Sequence, residues 1–343
     1  MGEVEMPLDP ARDRDKEDRP ENFWKALVRD AIVAGLIVAV ILGAMYLYAG
    51  VWPPLVVVES SSMQHSDDVS SLGVIDTGDM VFQQAAPTRE SIVTYLEGRA
   101  NGYATYGDYG DVIIFNRVGS ATPIIHRAIM YVSLRANGTA DVRDVTLLPS
   151  AEWDATNAAD QPTRIPVFLK TLTIRHMGFD HDTNLTFSFG GVPVTPRVGF
   201  LTMGDNNLFH ACRLSRADCV SGYDQLSTMA RLQDIEGRAR GEIPWIGLIK
   251  LVVQPTQACC AQGWGVGAPK NSWDALLVTL LFLIALPFIL EYAGRGWTKY
   301  VSPRLPKIRW PWTKRKAVVP DAEAPSDPPE GDDGPPREES SEP

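Results

Sequence analysis

Two long uncharged runs stand apart from a middle region whose apolar residues come in short bursts. No residue from Ala31 to Val58 is charged. About twenty apolar residues cross a bilayer, so Ala31–Gly50 is predicted to be a membrane span, with a buried core helix as the alternative. Val51-Trp52-Pro53-Pro54 ends it, because proline removes a donor and clashes with the preceding turn, and Trp52 fits an interfacial position. A second run, Ala275 to Leu290, lies between Asp274 and Glu291. It is short for a span and carries Pro287, but Trp273 and Tyr292 at its edges read as interfacial anchors. Between the two runs, Val112–Phe115, Ile124–Ile129, Val167–Ile174, Leu185–Phe189 and Trp245–Val253 are rich in β-branched and aromatic residues. Clusters of Gly, Pro, Asn and Asp separate them, so each is predicted to be a strand. Ser91–Arg99 reads as helical. There is no βαβ alternation and no repeat. The expected fold is mainly β, a partly open barrel or coiled sheet, with about 127–200 forming an inserted β subdomain.

Composition adds limits. The 343 residues are 22% charged and 45% hydrophobic, enough for one sizeable domain with appendages. The net charge of −10 is concentrated at the ends. No basic excess points to nucleic acid, and four cysteines are too few for a disulfide scaffold. The expected organisation is a charged tail (1–30), a span (31–50), an outer β domain (51–273), a second span (274–293) and a basic, then acidic Pro-rich tail (294–343). The long charged lead and extended apolar run do not suit a cleavable signal. Arg12, Arg14, Lys16, Arg19, Lys25 and Arg29 precede the first span, and eight lysines and arginines follow the second between Arg295 and Lys316. Residues 51–70 hold none and 255–273 only Lys270. This asymmetry places both termini in the cytoplasm and 51–273 outside. Two sequons, at Asn137 and Asn184, fall in that outer region.

Candidate chemistry begins where the Val-rich run breaks into Glu59-Ser60-Ser61-Ser62-Met63. Taken alone, three serines there are turn or cap residues. Two later stretches change that: Ile124-Ile125-His126-Arg127 sets a histidine in an apolar run, and Met203-Gly204-Asp205-Asn206-Asn207 sets an aspartate in a tight turn. A lone strand histidine is usually a satisfied core residue, but together the three stretches supply a nucleophile, a base and an orienting acid. His176 and His181 near Asp180 lack a metal-ligand pattern.

These blocks, with Gly-Asp-Met-Val (78–81) and Gly-Asp-Val-Ile-Ile-Phe (110–115), resemble type I signal peptidase. The likeness is closest to the archaeal and endoplasmic-reticulum branch, which uses Ser-His-Asp where bacteria use Ser-Lys. The blocks are short and scattered over about 56–250, but follow the family's order. The resemblance implies a membrane-bound serine endopeptidase that removes signal peptides from preproteins with small residues at −1 and −3, without metal or cofactor. Its implied partners are preprotein signal peptides, the lipid bilayer and the protein translocation channel. Ser62 matches the nucleophile, His126 the general base, and Ser60 a hydroxyl donor to the oxyanion hole beside the Ser62 N–H. The family usually has proline where His65 stands. Asp205 matches one family aspartate. The second is displaced by an insertion, Leu208–Gly222, and Asp224 is its candidate, favoured for direct contact with His126 while Asp205 braces the site. Cys212 and Cys219 either close that insertion as a disulfide or remain free thiols. Ile243–Gly247 resembles the family's closing strand.

Two other readings fit parts of the pattern. A membrane-anchored non-catalytic β domain explains the spans and strands but not three blocks in catalytic order. A Ser-Lys autoprotease needs a base from Lys170, Lys250 or Lys270, and none occupies the place of His126. The charge asymmetry makes one direct prediction: protease added outside intact cells should leave the acidic C-terminal tail uncut. External digestion of that tail would overturn the second span.

Overall fold

The computed structural model describes residues 23–117, 122–190, 195–213, 219–220, 229–256, 259, 267–297 and 299. Of the predicted tails, 1–22, 298 and 300–343 lie outside them, as do Asp224 and most of the Cys212–Cys219 loop, whereas 23–30 and 294–296, expected as tail, are helical. Helix α1 (Phe23–Ala49) leads to strand β1 (Leu55–Val57), a single 3₁₀ turn at Ser61–Met63, and β2 (Met80–Gln84). Then come α2 (Tyr95–Asn101), β3 (Ala104–Thr105), β4 (Asp108–Tyr109), β5 (Val112–Phe115) and the long β6 (Ile124–Leu134). An appended set follows: β7 (Ala140–Asp141), β8 (Trp153–Asn157), β9 (Pro162–Thr163), β10 (Leu169–Met177) and β11 (Thr183–Ser188). The chain returns through β12 (Arg197–Met203), α3 (Asp205–Arg213), β13 (Cys219–Val220) and β14 (Ile235–Ile243), then ends in α4 (Leu248–Val253) and α5 (Lys270–Gly296).

Twelve of the strands form one mainly antiparallel sheet in the order β1-β2-β14-β5-β6-β7-β10-β11-β13, with β12 paired to β6 and β8 joining β10 to β9, while β3 and β4 pair as a separate two-stranded sheet. Val112–Phe115 is buried at every position, which explains a continuous apolar run without alternation. It sits between β14 and β6, pairing Ile113 with His126. The appended strands are not a separate body. Their Leu172, Leu185 and Phe187 share one core with Leu96 of α2, Met130 of β6 and Leu201 of β12.

Three expectations change. Trp245–Val253 is not a strand. The closing strand is β14, which stops at Ile243 before Pro244. Leu248 and Leu251, three apart, then bury one face of a short helix. The Gly204–Asn207 stretch opens α3 and is not an isolated turn. The helix predicted at Ser91–Arg99 starts at Tyr95, where Thr94 and Glu97 form a reciprocal capping box.

Both apolar runs are helices long enough to cross a membrane. Each has 27 residues, about 40 Å at 1.5 Å per residue, against a hydrocarbon core of about 30 Å. Leu36, Val40 and Leu281 point outward with most of their surface exposed. Trp273 differs from expectation: it is buried against Leu248 and Leu251 and anchors α4 to the base of α5. Tyr292 and Trp52 are exposed. The chain forms two compact units, residues 1–284 and 285–343. In the second, α5 runs on past Pro287, with Arg295 bridging Glu291.

Two buried carboxyls, Asp76 and Asp79, and the half-buried Glu242 form a further set. Asp79 accepts from the N–H groups of Asp76 and Trp245, and Glu242 accepts from Gly73. Burial pushes the Asp76 carboxyl up to about 7, Asp79 to about 6 and Glu242 to about 7. Unfolded carboxyls titrate near 4, so the folded state favours their protonated forms. Their contribution to stability is full below about pH 4 and lost as pH rises through about 6 to 7. The unfolding temperature in detergent should therefore fall between about pH 5 and pH 8, with Asp76→Asn flattening part of the slope. A flat or rising profile would contradict this.

Candidate active site

A cleft of about 820 Å³ is walled by β1 and the first residues of β6, and Ser60, Ser62 and His126 line it. The strand-end serines reach it because Val58 closes the sheet against Asp79: Val58 N–H donates to the Asp79 carbonyl at 2.9 Å, and Gly78 N–H donates back to Val58. Gly78 has φ +96°, and a Cβ there would strike Leu248, so only glycine makes this crossing. The chain then turns through Ser61–Met63. The Ser60 and Ser62 hydroxyls face each other at 3.4 Å.

Four ties hold this turn. Met63 is buried among Val58, Ile75 and Ile114, and burying such a side chain is worth about 1.5–3 kcal/mol. Gln64 accepts from the Thr77 N–H and hydroxyl. Asn206 donates its amide to the Ser61 carbonyl at 2.8 Å. Gly204 lies so close that a Cβ would come within 2.3 Å of the Ser62 carbonyl oxygen. The start of α3 thus presses on the Ser61–Met63 turn.

His126 and Arg127 are neighbours on β6 and therefore face opposite ways. His126 lines the cleft and is 6% exposed. Arg127 is 1% exposed. Its Nε and Nη2 donate to the two oxygens of Asp205 at 2.8 and 2.6 Å. Its other donors reach the carbonyls of Thr105, Tyr106 and Asp108. The second Asp205 oxygen also accepts from His65 Nε2 at 3.0 Å. Burial alone would push the Asp205 carboxyl up, but the Arg127 guanidinium, aided by His65, holds it below the usual carboxylate range. Nearby Asp108 lacks such direct pairing, and burial carries it up to about 6 against the pull of Arg127.

Asp205 is therefore a bracing residue whose oxygens serve Arg127 and His65. Sequence reasoning missed Arg127, though an arginine inside an apolar strand almost never lies buried without a partner. It also left Lys250 and Glu59 unassigned. Both line the cleft, joined at 2.7 Å. Arg117 and Glu236 lie on the same lining. Among the described residues no group of His, Cys, Asp and Glu has metal-binding geometry.

Removing one member of a buried ion pair typically costs about 3–5 kcal/mol, because the other charge is left stranded. Asp205→Ala should lower folding stability by that amount, and Asp205→Asn by less, since an amide oxygen still accepts from Arg127. Chemical denaturation of the variants checks it. Wild-type stability for Asp205→Ala would show that water or another group satisfies Arg127.

No protein-family model matches the chain and no curated protein matches it, so its cleft and side chains must carry any functional assignment.

Proposed function

We propose that the protein is a membrane-bound serine endopeptidase of the type I signal peptidase kind, with a Ser-His base pair, that removes signal peptides from preproteins. One observation carries this reading. Ser62, at a tightly braced strand end, and His126, from a strand far away in sequence, line a single apolar-walled cleft with Ser60. Ser62 Oγ attacks the scissile carbonyl while His126 takes its proton. The same imidazolium then protonates the leaving amine, and His126 activates the water that hydrolyses the acyl-enzyme. The Ser60 hydroxyl, 3.4 Å from the Ser62 hydroxyl, is in place to donate to the oxyanion. A third residue must fix the tautomer of His126, and Asp224 is its candidate because Asp205 is committed elsewhere.

The substrate side fits the same chemistry. Strand β1 pairs with β2 on one edge, and its residues Leu55–Val57 line the cleft, so an extended peptide can lie along it by strand addition. Val56 and Ile125 give the walls apolar character that suits small apolar side chains near the cut. The two long apolar helices tether this cleft to a bilayer, where a preprotein emerges. The proposed fold is the partly open signal peptidase sheet, with the cleft domain outside the cell and both tails cytoplasmic.

Lys250 on the same lining raises the Ser-Lys alternative. Its side chain is 45% exposed and its amine engages Glu59, whereas a lysine base must lose its proton in a desolvated pocket. Substitution separates the readings. Ser62→Ala and His126→Ala should each abolish cleavage of a signal-bearing precursor in vesicles, because members of such a unit fail together. Lys250→Ala should keep it within about threefold, as expected of a rim charge. Inactive Lys250→Ala beside active His126→Ala would favour the lysine base. Failure of a serine-directed acylating probe to label Ser62 would leave a non-catalytic β domain.

A further inference from the structure

The appended strands reach the segment just after the Ser61–Met63 turn through His65. Its ring donates from Nε2 to Asp205 and stacks on Phe179 with centroids 4.0 Å apart and planes 13° from parallel. Phe179 belongs to the tight turn between β10 and β11. Its other neighbour is Phe209 of α3, with centroids 5.0 Å apart at 29°. The turn fits because Gly178 has φ +86° and packs under Leu208. On another side of His65, Gly107 leaves no room for a side chain: a Cβ there would come within 2.8 Å of the imidazole. The imidazole is thus fixed by a stack, a glycine floor and a carboxylate. That carboxylate opens α3, and Gly204 just before the helix and Asn206 within it touch Ser62 and Ser61.

We propose that His65 is a positioning residue for Ser62, and that Phe179 makes the appended sheet a working part of the active site by holding His65 against Asp205. This rests on the peptidase reading. The alternative is that the appended strands merely cover the core, with the His65–Phe179 contact adding only stability. Geometry favours positioning, because His65 lies three residues beyond the nucleophile and its hydrogen bond ends on the helix start that abuts Ser62. Of the cleft walls, β1 has no member in this chain of contacts, and β6 joins it through Arg127, whose two bonds to Asp205 do not involve His65. Losing the contact should therefore loosen the nucleophile and leave peptide binding intact.

The test uses the full-length protein in lipid vesicles with a precursor substrate. His65→Phe keeps the ring stack but loses the donor. Asp205 retains both Arg127 bonds in that variant, so folding should survive. His65→Gln keeps a donor but loses the stack, and Phe179→Ala removes the stacking partner. For His65→Phe and Phe179→Ala, kcat per folded molecule should fall about tenfold or more with KM within about threefold, since small misplacement of a reacting group is costly. The rate of Ser62 acylation by the probe should fall in parallel, and His65→Gln should recover part of the loss of His65→Phe. Unchanged kcat per folded molecule in both His65→Phe and Phe179→Ala would overturn the positioning role, even if both variants melt earlier. Should either fail to fold, Phe179→Leu, which keeps the volume without the ring, decides by the same readout. If wild-type protein neither acylates nor cleaves, the peptidase reading itself fails, a result distinguishable from loss of positioning alone.

Discussion

A guanidinium with almost no exposed surface has to be met by acceptors on every side, and Arg127 is met by elements from across the chain. Asp205 brings the start of α3, and the carbonyls of Thr105, Tyr106 and Asp108 bring the β3–β4 hairpin. Arg127 itself belongs to β6. Desolvating such a charge without these partners would cost far more than any single apolar contact returns. The pair therefore fixes α3 against the sheet. Because α3 begins at Asp205, it also fixes Gly204 and Asn206 against the Ser61–Ser62 backbone. The adjacent residue on the same strand, His126, turns to the opposite face and into the cleft. One buried ion pair thus fixes the height of the turn carrying the proposed nucleophile and the strand carrying the proposed base.

The packing around the base of α5 has its own logic. Helix α4 buries Leu248 and Leu251 against Trp273 and Leu276 at the base of α5, and disulfide-bonded Cys259 joins the same cluster. Leu248 is also the side chain that Gly78 must make room for. The second long helix, the short helix and the crossing just before Ser60 are therefore packed in sequence. Lys250, on that short helix, reaches back to Glu59 beside the serines. A helix suited to a bilayer is in this way mechanically continuous with the strand end that carries the proposed nucleophile.

Much of this was legible in the sequence, for identifiable reasons. Val112–Phe115 is a strand buried on both faces, so an unbroken β-branched run between turn residues suffices to locate it. The two long helices are legible because each run holds many consecutive apolar residues with almost no charge or turn residue to break it. Trp245–Val253 misled because a short apolar run fits a strand or a helix equally. The deciding contacts of Leu248 and Leu251 lie on a helix some twenty residues away. Trp273 misled because a tryptophan beside a span reads as an anchor until its packing partner is known. The Ser and His positions were readable as residue types in context. The commitment of Asp205 to Arg127 was not, since residues 78 apart reveal pairing only when folded.

His65 shows why a departure from a family pattern can carry information. The resemblance places a proline there, which would stiffen the loop through its fixed φ alone. A histidine has no such covalent constraint, and the loop would lose stiffness unless something else restored it. Here the restoring contacts come from outside the loop: a carboxylate at the start of α3 and an aromatic ring from the appended strands. Rigidity that a single residue could have supplied locally is supplied by tertiary structure, at the cost of making the turn depend on a distant hairpin. The same physics gives the appended strands a reason to share a continuous core with β6, β12 and α2. A flexibly tethered appendage could not hold Phe179 to within the few tenths of an ångström that a stacked ring requires.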